Sequence, residues 1–354
     1  MRELRKKQVI PFLGAGVNFG TRPLNEEWKL GSEFLPSGKE LSFYLAMLTN
    51  LIPEDKRDIE DLAKVASYYV DVSGVRDTLR ADLREIFVRE FAPTKIHTYL
   101  AQEALYYVDG KSPYEKTEEQ RETRGTPLLI VTTNYDDLTE KAFQMLGRPY
   151  DLVIYPTDRA DVADSVLWRK AGHDKEIAVP PNSLRIELEK TNVIYKMHGS
   201  IDRSKPDMDS FVITEEDYVD FLARMAAHGA IPMQFVRYFR SRRFLFLGYG
   251  LNDWNLRVVL RNLRTVLPTM DDQASQTTQP LTDDAGRGAP DSGRQPSAAR
   301  DANLQSWAIQ YRPSMLEAAL WDARKVRIYD QNINDFAMQL AAFANSLDAR
   351  EAGN

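Results

Sequence analysis

The chain has 354 residues, a formal net charge of -6 and no cysteine. That length allows one large domain or two smaller ones, and 43% hydrophobic residues suffice for a sizeable core. The absence of cysteine excludes disulfides, thiolate-bound zinc and a thiol nucleophile. The acidic balance weighs against a free-standing nucleic-acid binder, which is usually basic.

In chain order, the first element is a strand over Val9 to Leu13, apolar throughout as in a parallel sheet covered on both faces. It ends in "GAGVNFG", and the following "NFGTRP" reads as loop. A helical block spans about residues 38–106. In "DIEDLAKVASYY" the residues Ile59, Leu62, Val65, Ala66 and Tyr69 share one helical face, with Asp58 as the N-cap. Val75, Leu79, Leu83, Ile86 and Phe87 form a second such face, and Pro93-Thr94 opens a third helix. The charged run Lys116 to Gly125 reads as a solvated loop.

Strands then alternate with helices. "LLIV" (128–131) precedes a helix with Leu138, Ala142, Phe143 and Leu146 inward, and "LVIY" (152–155) follows. The polar stretch 156–190 has no clear period. "VIYKM" (193–197) and "FVIT" (211–214) read as strands, and Thr214 caps the helix after them. "FLFLG" (244–248) is a strand with the helix "DWNLRVVLRNL" behind it. "SWAIQY" and "VRIYD" are the last strands. Residues 268–302 are rich in Pro, Gly, Ser, Asp, Gln and Thr and cannot bury enough surface to order themselves, so they read as a mobile surface insertion.

Short apolar strands alternating with helices imply an α/β fold, a parallel sheet covered by helices on both faces. Four strand ends carry the chemistry. Gly14-Ala15-Gly16 lets backbone N–H groups approach an anion, although the third glycine, Gly20, arrives one residue late for the dinucleotide fingerprint. "VTTNYDDL" sets Asn134 and Asp136 at the sheet's carboxyl edge, where open α/β sheets bind ligands. The bland alternative for Asp136 or Asp137 is a helix N-cap. "IYKMHGSID" ends in His198, an imidazole able to accept a proton near neutral pH. Of the other three histidines, His173 and His228 read as surface residues and His97 as a satisfied, half-buried one. "FLFLGYGLNDW" supplies a second glycine turn and a helix cap at Asn252-Asp253.

Together and in this order, "GAGVN", "TTNYD", "MHG" and "GYGLND" resemble the SIR2-like (sirtuin-related) family, specifically its bacterial antiphage-defence branch. The resemblance covers nearly all of the chain outside 268–302. It implies a Rossmann-like parallel sheet with helices on both faces and an inserted helical subdomain, with NAD as the substrate. Gly14, Ala15 and Gly16 match the pyrophosphate turn, and Asn18 of the same motif is a further cofactor-binding residue. Thr133, Asn134 and Asp136 match the motif lining the nicotinamide and its ribose. His198 matches the catalytic histidine, with Asn134 as its partner. Gly248, Tyr249 and Asn252 match the segment holding the adenosine end. Deacetylating sirtuins carry a four-cysteine zinc module; this chain has no cysteine, so no metal is expected and acyl-lysine recognition is in doubt.

The resulting expectation is an NAD+ hydrolase that depletes NAD in antiphage defence. The domain expectation is a SIR2 domain over 1–35, 125–267 and 303–350, with a helical insertion over 36–124 and the 268–302 segment apart. The expected setting is cytoplasmic. Control falls to homo-oligomerisation or to a separate partner, for which the family suggests a HerA-like ATPase or a short Argonaute; direct nucleic-acid or membrane binding is not expected. Rival readings are an NAD-dependent protein deacylase, a non-catalytic NAD or ADP-ribose sensor, and a metal-dependent nuclease using "DRSKPDMD" (202–209), which otherwise reads as a solvated acidic loop.

Overall fold

A computed structural model describes residues 2–23, 25–51, 56–107, 123–157, 159–227, 229–250 and 305–352. The helix after residue 250, the cap at Asn252-Asp253, the 268–302 segment, most of the charged run 116–125 and His228 lie outside the described residues.

Nine strands form one sheet. They are β1 (Val9–Leu13), β2 (Leu129–Thr132), β3 (Asp151–Ile154), β4 (Val166–Arg169), β5 (Ile177–Val179), β6 (Val193–Lys196), β7 (Arg243–Leu247), β8 (Ser306–Gln310) and β9 (Val326–Asp330). Their spatial order is β9-β8-β7-β1-β2-β6-β3-β4-β5. Pairing is parallel from β9 through to β3 and antiparallel for β3-β4 and β4-β5. The order reverses beside β1, since β2 pairs on one side of it and β7 on the other. In open α/β sheets such a switch point opens a crevice at the carboxyl ends of the strands.

The helices are α1 (Gly38–Leu48), α2 (Leu62–Ser73), α3 (Arg76–Phe87), α4 (Lys95–Glu103), α5 (Leu138–Met145), α6 (Glu215–Ala226), α7 (Met233–Arg240), α8 (Met315–Asp322) and α9 (Ile333–Ala352). Alternate strand residues feed two cores, as the two-residue period of a strand requires. Ile10, Phe12, Val131, Tyr195, Phe244 and Phe246 pack with Phe221 of α6, Phe235 of α7 and Trp321 of α8. Val9, Leu13, Ile130, Ile194 and Leu247 pack with Tyr99 of α4, Phe143 of α5 and Ala337 of α9. A third core joins α1, α2 and α3 to Trp28, Tyr135, Leu138 and Phe211 at the sheet's carboxyl edge.

Several expectations change. The stretch 156–190 contains two strands, β4 and β5, which extend the sheet antiparallel; β5 is mostly exposed, so its burial imprints no period. "FVIT" is not a sheet strand: only Ser210–Phe211 pairs, with Gly199–Ser200, in a separate two-stranded ladder. Residues Ala15–Thr21 form a 3-10 helix rather than loop, with Gly14 at its N-cap. Asp61, not Asp58, caps α2, its carboxylate accepting from the N–H groups of Ala63 and Lys64 at 3.1 and 3.3 Å. Val75 and Leu146, expected inward, are exposed. Of the charged run, Arg124 belongs to the short strand Thr123–Arg124, which pairs with Tyr106–Tyr107. Thr94 and Thr214 cap their helices as their positions require.

Candidate functional site

The two glycine turns meet back to back. The Gly14 N–H donates to the Leu247 carbonyl at 3.0 Å and the Gly16 N–H to the Gly248 carbonyl at 2.7 Å. A Cβ on Gly16 would lie 2.8 Å from the Gly248 oxygen, and one on Gly248, whose φ is +64°, would lie 2.1 Å from the Val17 nitrogen. These glycines are therefore required for the approach of one turn to the other. With Val17 N–H donating to Gly14 O, Ala15 is the exposed residue of the turn whose N–H the described residues do not use. The Tyr249 ring closes over Gly14 and stands edge-on to Phe12 at 5.5 Å.

Asn134 leaves the end of β2 on the next strand. Its backbone N–H donates to the Thr132 hydroxyl at 3.0 Å and its side-chain nitrogen to the Gly14 carbonyl at 3.2 Å. An acceptor on that side fixes which end of the carboxamide is nitrogen. The preceding Thr133 is half-buried, its N–H held by Leu13 O at 3.2 Å. Asp136 accepts from the Asn18 side-chain nitrogen at 2.8 Å on one oxygen and from the Leu138 N–H at 3.1 Å on the other. It thus takes up the first N–H of α5, whose N-cap position is Asp137, and holds Asn18 across from it. Asp137 instead pairs with Arg203.

His198 stands beyond the end of β6, 4% exposed, its ring edge-on to Tyr218 at 5.3 Å and to Phe221 at 5.6 Å. Burial among these rings pulls its pKa down to about 3, because an imidazolium there would lose its hydration without gaining a counter-charge. The group is a neutral imidazole at physiological pH.

All of these line one cleft of about 1040 Å³: Gly14, Ala15, Gly16, Asn18, Thr133, Asn134, Asp136, His198, Gly248 and Tyr249. Asn252 lies outside the described residues. The far wall comes from the N-terminus of α1 and residues 57–63. There Glu40 completes a capping box with Ser37 and binds Arg22 and the Trp28 N–H. Burial pushes the Glu40 carboxyl up, but these donors outweigh it and hold it at about 2.

Other polar groups behind the cleft carry no motif. Lys196 and Glu140 form a fully buried ion pair at 3.0 Å; the one signal was a lysine inside an otherwise apolar strand. Asp209, in the supposed solvated loop, is fully buried, accepting from Arg84 at 2.7 Å and from the Asp202 N–H at 2.6 Å. His97 is fully buried rather than half-buried, with Nδ1 accepting the Thr94 N–H at 3.1 Å. Among the described residues no group of three or more His, Asp or Glu side chains could hold a metal, and no helix is long and apolar enough to cross a membrane.

Fold and site define an α/β protein with a nucleotide-sized cleft at the switch point of a Rossmann-like sheet. The chain belongs to the SIR2-like domain family, whose sequence model matches residues 128–329. It is 28% identical over 265 residues to a protein of Acinetobacter baumannii (strain 532279) named NAD(+) hydrolase ThsA, a match covering 75% of this chain and 41% of that protein. It is 26% identical over 220 residues to an Enterococcus faecium protein of the same name, covering 60% and 34%. The chain thus spans less than half the length of these curated relatives.

Proposed function

We propose that this chain is an NAD+ glycohydrolase, cleaving the bond between nicotinamide and ribose, and that it depletes NAD in antiphage defence. The observation carrying this reading is the convergence of Asn134 and a neutral His198 on one cleft beside the paired glycine turns. The printed names of the two relatives support the same chemistry.

In this reading the exposed turn at Ala15 takes the diphosphate, and binding energy there is remote from the bond that breaks. Tyr249 and Gly248, with Asn252, take the adenosine end. The C1′–N bond breaks with its electron pair going to nicotinamide, which leaves neutral and needs no general acid. Positive charge develops on the ribose, as in other glycosidic cleavage. Asn134, its nitrogen held by Gly14, offers its oxygen to a ribose hydroxyl or to the attacking water, and His198 accepts the proton of that group. A weak base suffices, because water adding to a cationic carbon becomes strongly acidic. The products are nicotinamide, ADP-ribose and one proton. Asp136 acts through Asn18 and the start of α5, and any contact it makes to the nicotinamide amide competes with those bonds.

In this reading 36–124 is a helical insertion into a SIR2 domain formed by 1–35, 125–267 and 303–350, its residues 36–41 and 60–63 lining the cleft while α4 packs against the sheet. Restraint of so toxic an activity falls to homo-oligomerisation or to a partner in the cytoplasm, such as a HerA-like ATPase or a short Argonaute. The test is chromatographic measurement of nicotinamide released from NAD+, with and without neighbouring gene products. Release by the wild type and its loss in Asn134→Ala and His198→Ala support the reading. Release that requires an acetylated peptide turns it into a deacylase, and NAD binding without any release turns it into a sensor.

A further inference from the structure

Strands β2 and β6 stop pairing at Thr132 and Lys196. Past that point the ladder ends, and one segment runs on to Asn134 and the other to His198. The spacing of the two groups then depends on the bonds that join these segments. The Met197 N–H reaches the Thr132 carbonyl at 2.9 Å and the Ile201 N–H reaches the Tyr135 carbonyl at 3.0 Å. The Lys196 ammonium adds to these backbone bonds. It donates to the Tyr135 carbonyl at 3.2 Å, to the Asp136 carbonyl, and to Glu140 Oε1 at 3.0 Å.

An ammonium has three protons and no acceptor, and here three acceptors meet it. Its side chain is fully buried and the Glu140 side chain nearly so. Burying a charge costs heavily unless it is paired and hydrogen-bonded. Folding alone gives little reason to prefer this arrangement, since a well-packed apolar pair in the same volume is often at least as stable. What an apolar pair cannot do is hold two consecutive carbonyls immediately after Asn134 from a strand that ends two residues before His198. We propose that Lys196 is a positioning residue, which with Glu140 as counter-charge locks the loop after β2 onto β6 and so sets Asn134 against His198. The proposal rests on the glycohydrolase reading for its consequence in turnover, but the loop lock itself can be read without catalysis.

The test compares the full chain as wild type, Lys196→Met and the double variant Lys196→Met/Glu140→Gln. The single variant leaves a carboxyl buried without its cation and is the one at risk of not folding; the double variant removes both charges. In the folded double variant, hydrogen exchange of the 133–138 segment speeds at least 10-fold while β1, β3 and β7 keep their protection. Nicotinamide release falls at least 100-fold in kcat, with KM for NAD+ within about threefold. A double variant with wild-type kcat, or with unchanged exchange over 133–138, overturns the proposal. If the wild type releases no nicotinamide, the glycohydrolase reading has failed by itself, and the exchange measurement still decides the lock: selective loosening of 133–138 supports it, and no loosening overturns it.

Discussion

The side-chain nitrogen of Asn134 donates to the carbonyl oxygen of Gly14 across 3.2 Å, tying the loop after β2 to the glycine turn after β1. In the proposed mechanism one residue thus belongs both to the reacting end of the cleft and to its cradle. Asn134→Ala removes that bond at a cost of about 1 kcal/mol and lowers nicotinamide release by roughly 100-fold or more. Asn134→Asp sets a carboxylate oxygen against the carbonyl and destabilises further, by about 1–3 kcal/mol. Urea titration alongside turnover measures both. Asp being as stable as Ala would show that the amide is not oriented by Gly14.

His198 is held near pKa 3 by burial, so it is neutral across the pH range in which the proposed turnover would be measured. The expected profile of kcat/KM from pH 5 to 8 carries no acid limb near 6.5, the value of an unperturbed histidine. His198→Ala lowers turnover by about 100-fold or more. A limb near 6.5 that disappears in the variant would show a histidine far better solvated than this one.

Much of this arrangement was legible in the sequence. The strand ends declared themselves because parallel strands are apolar throughout and stop abruptly at glycine or at Asn and His. The function of Gly14 and Gly16 was only half legible: their partner is Gly248, more than 200 residues on, and a contact between two turns leaves no trace in either one. The buried charges were barely legible for a related reason, a lysine within an apolar strand being the one sign of them. Asp209 and Lys196 look like solvent-facing residues until Arg84 and Glu140, from other elements, are brought beside them. Strand β5 escaped because it is an edge strand with mostly exposed side chains, and β4, interior to the sheet, because its four residues run two buried and then two half-buried instead of alternating.

His97 makes a second titrating contribution. Burial brings its pKa down to about 4, while the unfolded chain titrates near 6.5. The folded state therefore binds the proton less readily, and its advantage is complete above the unfolded pKa and shrinks as pH falls from about 6.5 toward 4. The difference amounts to about 3 kcal/mol at the acid end, with His198 adding in the same direction. His97→Gln keeps an acceptor for the Thr94 N–H, as Gln does in a capping box, but does not titrate. Unfolding free energies at pH 7, 6, 5 and 4.5 should fall less steeply for the variant. Equal slopes would remove His97 from the account.

Gly248→Ala tests the contact between the two turns. Its left-handed backbone costs a side chain about 1–2 kcal/mol, and the added Cβ would lie 2.1 Å from the Val17 nitrogen. Destabilisation of at least ~2 kcal/mol is expected, with loss of NAD binding by calorimetry. Gly38→Ala is the control, because a Cβ there meets nothing within 4 Å. A Gly248 variant as stable as the Gly38 variant would mean that the turns can part without consequence.

Glu40 permits a test of the wall facing the reacting groups. Its two oxygens accept from Arg22, from the Ser37 N–H at 2.9 Å and from the Trp28 N–H at 2.8 Å, so one carboxylate joins the 15–35 segment to the start of α1. Arg22 in turn stacks on Phe34 at 4.8 Å. Glu40→Gln keeps the shape but halves the acceptors and removes the charge, at a cost of about 1–2 kcal/mol. The reacting side of the cleft, built from β1, β2, β6 and β7, is untouched. Ground-state binding should therefore suffer and the chemical step should not: KM for NAD+ rises roughly fivefold while kcat stays within about twofold. Weaker ADP-ribose binding by calorimetry should match the KM change. A fall in kcat with KM unchanged would mean that this wall takes part in the reaction itself, and the division between binding wall and reacting edge would have to be redrawn.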